Sequence, residues 1–269
     1  MENIILDRVV KEINQGRRVA LAMVTRIWGS SPSPEGAMMA VWEDGNTLGT
    51  VGGGSLEGEV IAKAQECLAK GQNEVFTFEL NNKEAETSLN MICGGKVEVF
   101  IRVFIPRPKL LIVGGGHVAY EIYKLGKFLD FYTVIFEDRP EFGNFERFPQ
   151  ADDIKLGDIK TMLSEYPIDE NCYIVIVTRG HAGDEEALQT VINSNAAYIG
   201  MIGSKRKVSL IREKLRNQGI GDEKLNKIYA PIGLDLGGDR PAEIAFSIMA
   251  EILLVKNKGQ LRHLKLGGE

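Results

Sequence analysis

The run Gly114-Gly115-Gly116-His117-Val118-Ala119 has the form of a dinucleotide-type glycine fingerprint. It lies between an apolar stretch and an amphipathic one, the strand–turn–helix setting that gives such a motif meaning. Gly114 permits the tight turn, Gly116 lets backbone N–H groups approach a pyrophosphate at a helix N-terminus, and Ala119 permits close helix–sheet packing. His117 lies in the turn itself. Glu137-Asp138 closes the next apolar stretch at the spacing of a carboxylate that binds ribose hydroxyls, and Asp138 is the candidate. Arg139 beside it leaves NAD and NADP both open. A turn that binds another phosphate-bearing ligand, or none, has the same sequence.

Four further places carry chemistry. Gly52-Gly53-Gly54-Ser55 precedes a helical pattern, which favours a helix capped by Ser55 over anion capture by free N–H groups, though it allows both. Cys93-Gly94-Gly95 sets a thiol on a turn that ligands can reach, or buries it as a small apolar side chain. Thr178-Arg179-Gly180-His181 follows an apolar strand, so Arg179, His181 and the nearby Asp184 fall where an open α/β sheet binds ligands. The loop from Gly233 to Pro241 brings Asp235 toward the same crevice. Three dispersed histidines give no zinc spacing, and neither a Ser-His-Asp order nor an acid/base pair is present.

The elements that must position these residues fall into two blocks, 1–106 and 107–269, joined at Pro106-Arg107-Pro108. In the first, a helix over 6–14 precedes strands over 19–27, 38–42 and 47–51. A helix over 55–69 and strands over 74–80 and 96–104 follow, the last alternating Val97, Val99, Ile101 and Val103 on one face. The second block alternates strand and helix. Strands are expected at 109–113, 133–136, near 154, at 173–177 and at 198–202. Helices are expected at 118–129, 159–165, from 184, at 205–217 and from Pro241. The fold class is therefore α/β: an N-terminal mixed α+β domain, then a Rossmann-like doubly wound parallel sheet.

A net charge of -5 over 269 residues, with 44% apolar side chains, describes an ordinary globular composition without the basic footprint of a nucleic-acid binder. The strongest basic run, Ser204-Lys205-Arg206-Lys207, reads as a solvated helix start. No apolar run is long enough to span a bilayer, and no secretory signal opens the chain. Three separated cysteines form no disulfide framework, and the expectation is a reduced, cytoplasmic protein.

In this order the motifs resemble the XdhC/CoxI family, accessory proteins of xanthine dehydrogenase and related molybdenum hydroxylases. The resemblance is carried by Gly29-Ser30-Ser31-Pro32 with Gly36-Ala37-Met38, Gly49 to Glu57, and Cys93-Gly94-Gly95. It continues through Gly114 to Val118, Thr178 to His181, Tyr198 to Lys207, and Gly233 to Gly237 with Pro241 to Ala245. At the proline loop, where that family often carries a basic residue, this chain has Ser33 and Glu35. The resemblance implies a chaperone rather than a catalyst. Such a protein binds the molybdenum cofactor (molybdopterin), protects it while its sulfido ligand is installed, and delivers it to the apo-hydroxylase. A cysteine desulfurase and a homodimeric partner copy are implied as well; that neither nucleic acid nor membrane is a partner is the expectation from charge and apolar-run length. Cys93 becomes a candidate molybdenum contact, since a soft thiolate suits that metal. The cofactor is then expected between the N-terminal domain and the Rossmann crevice. The alternative from the fingerprint alone is an NAD(P)-dependent oxidoreductase acting on a small molecule.

Overall fold

The computed structural model describes residues 2–80 and 95–263. It divides after Pro106 into two compact units.

The first unit is an antiparallel sheet covered on both faces. Its strands are β1 (Val19–Trp28), β2 (Met38–Val41), β3 (Thr47–Gly49), β4 (Glu74–Leu80) and β5 (Gly95–Phe104), in the order β3-β2-β1-β5-β4. Alternation along β1 splits its side chains between two helices. Ala20, Ala22 and Val24 join Leu56, Val60, Ala64 and Leu68 of α2 (Gly54–Lys70), while Val19 packs with Ile5 and Val9 of α1 (Glu2–Asn14). Val97, Val99 and Ile101 are fully buried on the α2 face, as their alternation predicts.

The second unit is a parallel six-stranded sheet. Its strands are β6 (Lys109–Val113), β7 (Tyr132–Glu137), β8 (Asp153–Leu156), β9 (Cys172–Ile176), β10 (Tyr198–Met201) and β11 (Ile228–Tyr229). They lie in the order β11-β10-β9-β6-β7-β8, every pairing parallel. Counted from β6, this is the 3-2-1-4-5-6 order of a doubly wound dinucleotide fold. The helices are α3 (His117–Phe128), α4 (Ile159–Glu165), α5 (His181–Val191), α6 (Lys205–Asn217), the single turn α7 (Asp222–Leu225) and α8 (Pro241–Lys256). They lie on both faces over two apolar layers. On α3 the buried stripe is Ala119, Ile122, Tyr123 and Gly126, with Val118, Leu125 and Leu129 partly buried beside it. Ala119 and Gly126 let the helix sit close to the sheet. A Cβ at Gly126 would lie 2.6 Å from Leu110 Cδ2.

Candidate functional site

In this strand order the chain reverses direction across the sheet between β6 and β9, and ligands of open α/β sheets bind outside the carboxyl ends at such a point. Gly114 leaves β6 there with φ +112°, and its N–H donates to the Phe136 carbonyl at 2.8 Å. A Cβ on Gly114 would lie 2.6 Å from the Val177 carbonyl, so the turn is wedged against the end of β9. Gly116 differs: its φ is -71°, it caps α3, and nothing lies within 4 Å of where its Cβ would be. His117 is exposed in the first turn of α3.

Glu137, the last residue of β7, is 1% exposed and folds under this turn. Its Oε2 accepts from the Gly115 N–H at 2.5 Å and from Arg139 Nη2 at 3.2 Å. Its Oε1 accepts from Arg139 Nε at 2.8 Å and from the N–H groups of Asp138 and Arg139 at 3.2 Å each. Burial pushes the Glu137 carboxyl up, but the hydrogen bonds from Arg139, Asp138 and Gly115 outweigh it and hold it well below the usual range. Asp138, by contrast, is exposed, and the neighbouring Glu137 carboxylate raises its pKa. Arg139 stacks on Phe142 with 4.1 Å between guanidinium and ring centre, and Arg147 Nε donates to the Gly115 carbonyl at 2.9 Å.

Across the switch point, Asp184 is 1% exposed. It accepts from the Thr178 N–H at 3.0 Å, from Thr178 Oγ1 at 2.6 Å, and from the Lys207 ammonium. Lys207 also donates to the Ile202 carbonyl at 3.3 Å. Lys207 is therefore not part of a solvated run: its side chain is 11% exposed and engaged inward, and a residue 23 positions away neutralises it. Ser204 does cap α6, accepting from the Lys207 N–H. Gly180 caps α5 at φ +98° and Arg179 is exposed beside it, while His181 opens that helix. A third buried carboxylate, Glu251 of α8, accepts from the Gly233 N–H at 3.0 Å and from the Tyr198 hydroxyl. This anchors the start of the loop in which Asp235 lies exposed.

In the first unit the turn after β3 packs against the proline loop. A Cβ on Gly52 would lie 2.8 Å from Pro32 Cγ, and one on Gly95 would lie 2.1 Å from the Ser30 carbonyl oxygen. Helix α2 begins at Gly54 with Gly53 as N-cap, so Ser55 sits inside the first turn and does not cap it. The capping anion is Glu57, whose Oε1 accepts from the Gly53 N–H at 3.0 Å and from the Thr50 hydroxyl. The Thr50 hydroxyl does most to depress the Glu57 pKa, against a burial penalty, with the turn's N–H groups assisting. Cys93 and Gly94 lie outside the described residues. Cys67 and Cys172 are buried, and burial pushes both thiols up, Cys172 to about 12. Among the described residues no group of three or more His, Cys, Asp or Glu is placed to hold a metal ion, and no helix is long and apolar enough to cross a membrane.

Residues 110–252 match the family described as the XdhC Rossmann domain, and residues 12–79 match the XdhC and CoxI family. The chain belongs to the XdhC family. YqeB of Escherichia coli (strain K12) is 32% identical over 254 residues, which cover 94% of this chain and 46% of that protein. A Bacillus subtilis (strain 168) protein named as a probable xanthine dehydrogenase component is 26% identical over 160 residues, 60% of this chain and 46% of that one. The molybdenum cofactor insertion chaperone PaoD of Escherichia coli (strain K12) is 22% identical, covering 94% of this chain and 88% of its own. The chain thus spans just under half the length of the first two relatives. A Bacillus halodurans protein, named a xanthine dehydrogenase in its crystal structure, shares the fold. Its TM-score is 0.53 at 20% identity, over 95% of this chain and 96% of that one.

In this XdhC-family chain the second unit brings Gly114, Gly116 and His117 to the carboxyl end of β6, and Arg179 and Gly180 to the end of the adjacent β9. The first unit separately gathers Gly52, Gly53 and Gly95 around the proline loop and Glu57. Sequence reasoning missed four side chains that hold these loops: Glu57, Arg147, Lys207 and Glu251. For Glu57 a local signal existed, since a carboxylate four residues after Gly53 reaches back to a helix start.

Proposed function

We propose that this protein is a carrier for the molybdenum cofactor. It binds the molybdopterin cofactor, holds it while the sulfido ligand is installed with a cysteine desulfurase, and passes it to an apo-hydroxylase of the xanthine dehydrogenase type. The protein acts as a homodimer. The reading is supported above all by the match to both XdhC descriptions together with the similarity to PaoD over 94% of the chain.

The residues present fit such a cargo. A phosphate needs unobstructed N–H donors, and the open side of Gly116 at the start of α3 supplies them. The Gly180 turn, with nothing within 4 Å of its missing Cβ, leaves room beside it. The Gly52–Gly53 turn is a poorer phosphate site, because Glu57 already occupies it. The Cys93 thiolate is the soft ligand proposed for molybdenum. A carrier needs binding and release, which requires no acid/base pair.

The test is anaerobic incubation of the purified chain with molybdenum cofactor, desalting, and assay of retained pterin after oxidation to its fluorescent form. Near-stoichiometric retention is expected. Gly116→Asp keeps a residue suited to capping α3 but places a carboxylate on its amides, and retention should fall at least tenfold. Absence of retention by the wild-type chain would remove the carrier reading. Equal retention by Cys93→Ala would remove only the thiolate from it.

A further inference from the structure

The doubly wound order and the Gly114 fingerprint are the features with which folds of this kind bind a nicotinamide adenine dinucleotide, whose adenosine ribose is held by a carboxylate at the end of the second strand. Asp138, the candidate from the sequence, is exposed one residue further on; the carboxylate that the fold sets against the glycine turn, through the Gly115 N–H, is Glu137, and it does not fit the task. A carboxylate has about four lone-pair positions, and Glu137 accepts five hydrogen bonds from its own chain. It is 1% exposed. The loop after β7 lies against it. The Phe142 carbonyl oxygen is 2.5 Å from the Cβ position of Gly115, and a Cβ on Gly143 would be 3.0 Å from Glu137 Cβ. Arg139 covers the carboxylate while stacked on Phe142, and Arg147 pins the other end of the loop to the Gly115 carbonyl.

We propose that Arg139 and the 139–147 loop are a built-in occupant of the ribose position, which bars nicotinamide dinucleotides from this Rossmann unit. Glu137, Arg139 and Phe142 are then specificity-determining residues. The turn admits a ligand through the Gly116 side only, as a phosphate whose bearer places no ribose against β7. The inference does not rest on the carrier reading, since a chain that retained no pterin could still exclude NADH.

The experiment is a fluorescence titration of the full chain with NADH and NADPH, with thermal unfolding measured on every variant. The wild-type chain should show no saturable binding at millimolar nucleotide. Arg139→Ala removes two of the five hydrogen bonds and uncovers the carboxylate, leaving three bonds on about four lone-pair positions, so that Oε2 can accept from a ribose hydroxyl, and NADH affinity should gain at least tenfold. NADPH should gain less, because Glu137 and the exposed Asp138 then face its 2′-phosphate unopposed. Phe142→Ala removes the ring beneath Arg139 and should move in the same direction, so the proposal does not depend on one variant folding. Saturable NADH binding by the wild-type chain, lost in Glu137→Gln or Asp138→Asn, would overturn the proposal. So would failure of both folded variants to gain affinity, since the exclusion would then lie elsewhere.

Discussion

Lys207 in the first turn of α6 and Asp184 in the first turn of α5 form an ion pair in which both side chains are nearly buried. Asp184 also holds Thr178, so the pair ties the loop after β9 to the helix after β10. Cutting one partner out strands the other charge away from water. Lys207→Met should cost about 3–5 kcal/mol in urea denaturation, the range for breaking a buried pair from one side. Lys207→Ala with Asp184→Asn should cost less than the sum of the single changes. Strict additivity would show that the two groups are not coupled.

The Gly114 turn separates strain from function at neighbouring positions. Gly114→Ala combines a φ of +112° with a Cβ 2.6 Å from the Val177 carbonyl, so backbone must move. A loss of about 2–4 kcal/mol is expected by the strain and overpacking ranges. Gly116→Ala has an ordinary φ and open space, and should shift stability by less than about 1 kcal/mol. Comparing the two thermal midpoints checks this, and a drop at Gly116 matching that at Gly114 would contradict the geometry.

Most of the architecture was legible because its elements are periodic. The strands at Lys109, Glu74 and Tyr198 and the helices at Ile159, Lys205 and Pro241 begin where alternation, capping residues and Pro241 place them. The α/β class follows from that alternation. The two-residue strand β11 and the four-residue helix α7 escaped because neither is long enough to show a period. The candidate site was less legible. Glycine spacing reveals that a turn exists, but not whether its N–H groups are free. Glu57 and Glu137 occupy them from four and twenty-two residues away, and only the folded chain brings the second pair together. Lys207 looked solvated for the same reason.

Glu57 tests the N-terminal turn. Its carboxylate serves the Gly53 N–H and the Thr50 hydroxyl at the positive end of α2. Glu57→Gln keeps the shape but not the charge, and should cost about 1–2 kcal/mol near neutral pH, as for a charged hydrogen bond replaced by a neutral one. Ser55→Ala should be nearly silent, because Gly53 rather than Ser55 is the N-cap. A Ser55 effect larger than the Glu57 effect would reverse the assignment.

Acid should loosen the first unit through Glu12. This carboxylate is 1% exposed and accepts from Arg8 Nε at 2.6 Å and Arg17 Nη2 at 3.0 Å. The Arg17 hydrogen bond does most to lower its pKa, against burial and with help from Arg8, from 4.5 to about 2. A carboxyl depressed in the folded chain binds its proton more readily when unfolded. Its stabilisation is therefore complete above the unfolded value of 4.5 and is lost as pH falls toward 2. The partner arginines are half exposed, so solvent screening brings the expected contribution down to about 1–2 kcal/mol. Urea midpoints measured across that window should fall in the wild-type chain. In Glu12→Gln the midpoint should begin lower and fall less steeply. Parallel slopes would mean that Glu12 keeps its ordinary pKa in the folded protein, and that its arginine partners hold the end of α1 through packing rather than charge.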